Sequence, residues 1–133
     1  MEKIINFLNT NRYGVMTTVD GDKPKARPFE FMIAKNGVFY FGTSNEKEVY
    51  KQIKKNPNIE FTSFSKDFSW VRISGRAEFI NDKKIKEEVL DVDPQVKAIY
   101  KSADNPVFEV FCLRHGEAVL ADLSGNPPEK FTF

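Results

Sequence analysis

Short turns set close together constrain this chain most. Asp20-Gly21-Asp22, Lys35-Asn36-Gly37 and His115-Gly116 each separate runs with strand-like composition. A turn of that length joins antiparallel strands, and Asn-Gly tolerates the positive φ of a type I′ hairpin. In Tyr13–Val19, Val15, Thr17 and Val19 alternate with Met16 and Thr18, which predicts a first strand. A return strand is expected over Lys25–Ala34 and a third over Val38–Thr43. Ile59–Phe64 and Ser69–Ile80 read as two more, joined at Lys66-Asp67. Val107–Leu113 and Glu117–Leu123 read as a last hairpin around His115-Gly116.

Between these runs the apolar period lengthens. Helices are expected over Glu2–Thr10 (Ile4, Ile5, Leu8 on one face), Asn45–Lys55 (Val49, Tyr50, Ile53) and Asp82–Asp91 (Ile85, Val89, Leu90). Pro94 opens a short helix through Tyr100, and Asn56-Pro57 ends the second. The tail from Ser124 to Phe133, with its Gly and two Pro, is expected to be irregular. About seven hairpin-linked strands with a few short helices predict a mainly β (α+β) fold, an antiparallel barrel. The 133 residues form one domain, 1–133.

Composition narrows the function. Thirteen Phe supply bulky apolar wedges for a small barrel. A net charge of +1 provides no field for nucleic acid or an anionic membrane, so any anion site is local. A single Cys excludes an internal disulfide, and one Cys with one His argue against a four-ligand zinc site. No apolar run approaches the roughly 20 residues of a membrane span. MEKIINFLNTNR lacks a secretory h-region, so a cytoplasmic location is expected.

Three segments can carry chemistry. In Phe41-Gly42-Thr43-Ser44-Asn45-Glu46-Lys47, Asn45 is placed to cap the helix with Glu48 completing a capping box. Thr43 and Ser44 add hydroxyls, while Lys47 in the first turn and Lys51 one turn on add charge. A first-turn Lys opposes the helix dipole unless an anion sits there, so the segment is either an anion site or an ordinary cap with solvated lysines. In the second, Arg27, Phe29 and Phe31 alternate onto one face, and Pro28 removes a ladder donor. That is either a ligand-facing strand or a plain edge. In the third, Val71, Ile73 and Ala77 suit a barrel interior, leaving Trp70, Arg72, Ser74 and Arg76 outside. Trp beside Arg fits either an interface anchor or a shielded strand. Cys112 reads as an inert buried thiol. His115 sits in a turn, and neither a catalytic triad nor a Gly-rich phosphate loop is present, so no catalytic residue is assigned.

Taken in order, RPFEF, VFYFGTSNEKEVYKQIKKNP and WVRISGRAEFI resemble the pyridoxamine 5′-phosphate oxidase-like FMN-binding split-barrel family. The likeness is to its short bacterial members, a group that includes relatives of 5-nitroimidazole-resistance reductases, and VFEVFCLRHGEAVLAD extends it. The resemblance implies a split barrel that forms a homodimer with FMN at the subunit interface. It implies flavin contacts from Arg27, Pro28, Phe29 and Glu30, mainly through backbone, and phosphate contacts from Thr43, Ser44, Lys47 and Lys51. Trp70 and Arg72 would come from the partner subunit. The implied activity is a flavin-dependent oxidoreductase with a small-molecule electron donor and acceptor. A non-catalytic flavin-binding or sensing module and a haem-handling split barrel are the alternatives. SGNPPEKFTF does not match the Trp- and Arg-bearing closing segment of the full-length oxidases, which implies an activity other than pyridoxamine phosphate oxidation.

Overall fold

A computed structural model describes residues 1–133. In chain order the elements are α1 (Glu2–Thr10), β1 (Tyr13–Asp20), β2 (Lys23–Glu30), β3 (Ile33–Lys35), β4 (Val38–Ser44), α2 (Glu48–Lys55) and β5 (Asn58–Phe64). There follow β6 (Trp70–Arg76), β7 (Glu78–Ile80), α3 (Lys83–Val92), α4 (Pro94–Tyr100), β8 (Phe108–Leu113), β9 (Gly116–Ala121) and β10 (Glu129–Thr132). The strands build two antiparallel sheets, ordered β10-β9-β6-β5-β1-β2 and β3-β4-β8-β7. The expected mainly β, antiparallel fold with short helices is the one observed.

The Asn36-Gly37 turn forms as its chemistry requires. Both residues have positive φ, 53° and 76°, and Lys35 pairs with Val38 across it. The strand count differs from the sequence expectation because two long runs each change sheets. Lys25–Ala34 divides into β2 in one sheet and β3 in the other, with Phe31 and Met32 at the crossing. Ser69–Ile80 divides at Ala77, whose N–H turns aside to the Pro57 carbonyl at 2.8 Å. Strands that switch sheets make the corners of a closed barrel.

A third corner replaces the expected last hairpin. β8 pairs with β4 and β7, whereas β9 pairs with β6 and β10, so β8 and β9 do not pair with each other. The tail is also more regular than expected. β10 pairs with β9, and the Gly116 and Phe133 backbones exchange two hydrogen bonds of 3.0 Å. Alternating Phe131 and Phe133 explain this, since both pack on the core and the Phe133 ring lies 4.9 Å from that of Phe39.

One buried cluster fills the barrel and contains Phe31, Phe39, Phe41, Phe61 and Phe111. A second lies on the other side of the four-stranded sheet, under α3 and α4, and contains Tyr40, Val89, Tyr100, Phe108 and Val110. β4 is therefore covered on both faces, which is why its sequence is a continuous apolar run. Cys112 is fully buried in this second cluster, and burial raises its thiol pKa.

Gly116 is fixed by space. A Cβ there would lie 1.9 Å from the Ser74 carbonyl oxygen, which belongs to the neighbouring strand's backbone. Gly116→Ala should lower unfolding free energy by about 1–3 kcal/mol, the usual cost of overpacking. Urea denaturation followed by circular dichroism checks this; wild-type stability would show that the corner is not close-packed.

Candidate functional site

The split between the sheets opens a cleft. β2 is an edge strand, and no strand pairs with it on its free side. The Phe31 N–H bonds to the Arg12 carbonyl, so Phe29 and Arg27, two and four residues back, point their backbone groups at β1. Pro28 and Glu30 then point theirs away from β1. Pro28 has no N–H to lose at such a position, and Glu30 presents a free N–H to the cleft.

The cleft has a volume of about 460 Å³. Arg27, Pro28, Phe29 and Glu30 form one wall, and Gly42 and Ser44 of β4 another. Glu46, Lys47 and Val49, at the entry to α2, close one end. Val96, Ile99 and Tyr100 of α4 form the third wall. The structure thus brings together six of the residues singled out from the sequence: Arg27, Pro28, Phe29, Glu30, Ser44 and Lys47.

The turn between β4 and α2 differs from expectation in three ways. First, α2 begins at Glu48 with Lys47 as its N-cap, and no side chain caps it. Asn45 is committed elsewhere: its amide donates to the Pro106 carbonyl at 2.8 Å and to Glu109 at 3.1 Å. The expected capping box is therefore absent, and the N–H groups of Glu48, Val49 and Tyr50 have no hydrogen-bond partner in the chain. Second, strand alternation turns Thr43 and Ser44 to opposite faces. Ser44 lines the cleft and accepts from the Glu46 N–H at 3.2 Å, whereas the buried Thr43 Oγ1 has no partner. Third, Lys51 does not line the cleft and pairs with Glu48 at 3.6 Å.

Arg27 is not free. Its guanidinium donates to the Met16 carbonyl (3.1 Å), Thr18 Oγ1 (2.9 Å), the Lys25 carbonyl (3.2 Å) and Gln52 Oε1 (2.7 Å). These bonds tie β1 and β2 to α2, and burial lowers its pKa. Lys47 Nζ, by contrast, has no hydrogen bond and no ion pair, and the residue is exposed.

Trp70 and Arg72 do not line this cleft; β5 and β1 separate their strand from β2. They lie on the outer face of the six-stranded sheet. One cross-strand row there runs Pro28, Val15, Thr62, Arg72, Val119. Tyr13, Val15 and Phe64 on this face are exposed, at 69%, 38% and 61%. Since Pro28 and Glu30 pair with Val15 and Tyr13, the cleft opens directly onto that exposed face.

Sequence reasoning missed the surroundings of Glu30. Tyr13 is its cross-strand partner, and the Tyr13 hydroxyl donates at 3.4 Å to Asp93, the cap of α4. Burial first, and Asp93 second, push the Glu30 pKa up to about 7. The α4 wall was also missed, although Pro94 followed by Val96, Ile99 and Tyr100 is a legible amphipathic turn. Tyr50 packs on Phe79 at 4.7 Å, under Lys54. His115 is exposed at the β8–β9 corner and lies outside the cleft.

No helix is long and apolar enough to cross a membrane. No group of three or more His, Cys, Asp and Glu side chains is placed to hold a metal.

The two cations make opposite predictions for the ligand-free protein. Arg27→Ala should cost about 1–3 kcal/mol of stability, because Thr18 and Gln52 lose a charged partner. Lys47→Ala should leave stability within about 0.5 kcal/mol of wild type. Chemical denaturation of both variants checks the pair; equal losses would remove the distinction.

The chain is 28% identical to a NimC/NimA family protein from Clostridium acetobutylicum, with a TM-score of 0.90 over 100% of this chain and 92% of that one. It shares its fold with General Stress Protein 26 from Bacillus anthracis (22% identity, TM-score 0.83, 99% and 97% covered). It also shares the fold of a heme binding protein from Mycobacterium smegmatis (17%, TM-score 0.79), covering 98% of this chain and 55% of that one. No curated protein matches the sequence. The family model described as pyridoxamine 5′-phosphate oxidase matches residues 1–120, and the chain belongs to that family.

Proposed function

We propose that the chain binds FMN in the cleft between β2 and β4, as a homodimer, and acts as a flavin-dependent oxidoreductase on a small molecule. The observation that carries this is the end of the cleft at α2. The start of α2, with three unpartnered N–H groups, lies there beside Ser44 and the unpaired Lys47, a donor set suited to a phosphate dianion. The rest of the cleft is partly apolar, with Phe29, Val49, Val96 and Ile99, as a flat ring system requires. Its volume of about 460 Å³ lies within the usual range for small-molecule sites, about 300–1,000 Å³. Glu46 opposes an anion at that end, and its exposure to solvent weakens its effect.

The bound flavin would carry electrons between a donor such as a reduced nicotinamide and a small aromatic acceptor. The chain's own residues bind and orient. Lys47 and the α2 N–H groups would fix the phosphate, and Arg27 holds α2 against β1 and β2 so that those donors stay in place. The free Glu30 N–H and Pro28 carbonyl would align the ring edge. Phe29 and the α4 side chains exclude water. No side-chain nucleophile is needed for such chemistry.

The homodimer reading is supported by the exposed sheet face on which the cleft opens. A second copy seated on Tyr13, Val15 and Phe64 would cover them and bring its own Trp70 and Arg72 toward the cleft. A flavin ligand is favoured over haem because the one histidine lies outside the cleft.

A phosphate contact from Lys47 is worth about 1.5–3 kcal/mol. Lys47→Ala should therefore weaken FMN by roughly tenfold to a hundredfold and riboflavin far less. Fluorescence quenching with both ligands measures the contrast. Equal weakening, or none, rejects the phosphate site. Light scattering should give twice the chain mass at micromolar concentration; a monomer that binds FMN with full affinity rejects the shared interface.

A further inference from the structure

The start of α3 carries uncompensated charge of its own, away from the cleft between β2 and β4. Lys86, in the first turn, is 8% exposed and is the one buried charged residue of the chain. A lysine is almost never buried without an anionic partner, because taking an ammonium out of water is costly. Lys86 belongs to none of the chain's ion pairs. Its Nζ donates to Asn81 Oδ1 at 3.3 Å, which leaves two of its three donors unspent. The helix does not relieve the charge. Lys83 and Lys84 stand in the same turn, no acidic residue does, and the N-terminal end of a helix dipole is itself positive. The cap, Asp82, accepts from the Ile85 N–H at 3.1 Å.

Lys86 lines a cavity of about 460 Å³ between the start of α3 and the loop that leads into β8. Apart from Ala103 and Pro106, every residue of its wall is polar or charged. Lys83 and Asp104 neutralise each other at 3.3 Å. Glu109, on the same wall, pairs with no cation. Its Oε2 accepts from the Asn45 amide at 3.1 Å, and its Oε1 has no partner in the chain. One cation and one anion, each without a counter-ion, therefore share one polar cavity.

The surrounding loop is tied down. Asn45 bonds the Pro106 carbonyl at 2.8 Å as well as Glu109. Asn105 donates its amide to the Tyr100 carbonyl at 2.8 Å and accepts from the Val107 N–H at 3.0 Å. These bonds hold the shape of the cavity.

We propose that this cavity binds a free α-amino acid with a polar side chain, its carboxylate on Lys86 and its ammonium on Glu109. A simple anion would satisfy Lys86 and be repelled by Glu109, and a simple cation would meet the reverse. A zwitterion satisfies both, and an α-amino acid carries the two charges on one carbon. The polar wall offers little to an apolar side chain, so glutamine or serine suits it better than leucine. Asn105 alone lines both this cavity and the cleft, and its side chain is committed to the loop. The proposal does not depend on what the cleft holds.

Nuclear magnetic resonance titration of the isotope-labelled full chain tests it. L-glutamine or L-serine at millimolar concentration should shift the backbone amides of 81–86 and 103–109 saturably, and L-leucine should bind at least about tenfold more weakly. N-acetylglutamine lacks the ammonium and glutaminamide lacks the carboxylate. Each should lose about tenfold to a hundredfold against glutamine, the worth of one charge-assisted contact. Lys86→Met and Glu109→Gln should each weaken glutamine by a similar factor. Lys86→Met should also be no less stable than wild type in urea, since an unpaired charge leaves the interior. The analogue series uses the wild-type chain, so it decides the site whether or not a variant folds. Absence of saturable shifts with all three amino acids overturns the proposal. So does N-acetylglutamine or inorganic phosphate binding as tightly as glutamine, which would make the cavity a plain anion site.

Discussion

The packing of Phe41 sets the geometry on which the rest depends. Its ring lies 5.1 Å from Phe61, 5.4 Å from Phe111, 5.9 Å from Phe31 and 6.1 Å from Phe29. Those partners come from β5, β8, the β2–β3 crossing and β2, so one side chain joins both sheets. Filling the barrel this way holds the two sheets face to face. The chain must then leave one for the other at Phe31 and Met32. β2 is left as an unpaired edge beside the upper half of β4, and that gap is the cleft. Core packing and the cleft are thus two consequences of the same arrangement.

Gly42 shows how closely the two are linked. It follows Phe41 and faces the opposite side, toward α3 and the cleft. A Cβ there would come within 3.1 Å of the Phe108 ring and 3.4 Å of Val89. Leaving out the side chain lets α3 settle on the sheet and keeps the cleft floor low. Burial on the barrel side and clearance on the other are met by adjacent residues in one strand.

Local chemistry was legible in the sequence, and long-range commitments were not. Asn36-Gly37 demanded positive φ and has it, and the inward alternation of Val71, Ile73 and Ala77 is observed. The edge position of β2 was readable from Pro28, because a missing N–H is tolerated only where no neighbour needs it. The sheet switches within Lys25–Ala34 and Ser69–Ile80 were not readable, since nothing local marks where an extended strand changes partners. Asn45 failed as a cap for the same reason: Pro106 and Glu109, some sixty residues away, take its amide. Thr43 and Ser44 looked like one hydroxyl pair, but strand alternation runs up to the last residue of β4 and separates them. The family resemblance named Arg27 through Glu30, Ser44 and Lys47, and these residues line one cleft. It gave no hint that Tyr13, the cross-strand partner of Glu30, reaches Asp93, because that contact depends on where α4 docks.

The two basic residues of the cleft explain how such a site can be both rigid and receptive. A guanidinium is planar with several fixed donors, so Arg27 can serve two carbonyls, a hydroxyl and an amide oxygen at once. Its donors are spent within the fold, and it acts as a strut between β2 and α2. An ammonium is a compact charge on a flexible stem, and Lys47 keeps its donors uncommitted at the uncapped helix start. Exchanging the two would fail on both counts: Lys at position 27 cannot span four acceptors, and a guanidinium at position 47 could reach Glu46 or Glu48 and be neutralised by its neighbours. A capped helix with paired cations would be more stable alone and would have nothing left for an anion. The unmet N–H groups of α2 are therefore best understood together with Arg27, which holds them in position at the end of the cleft.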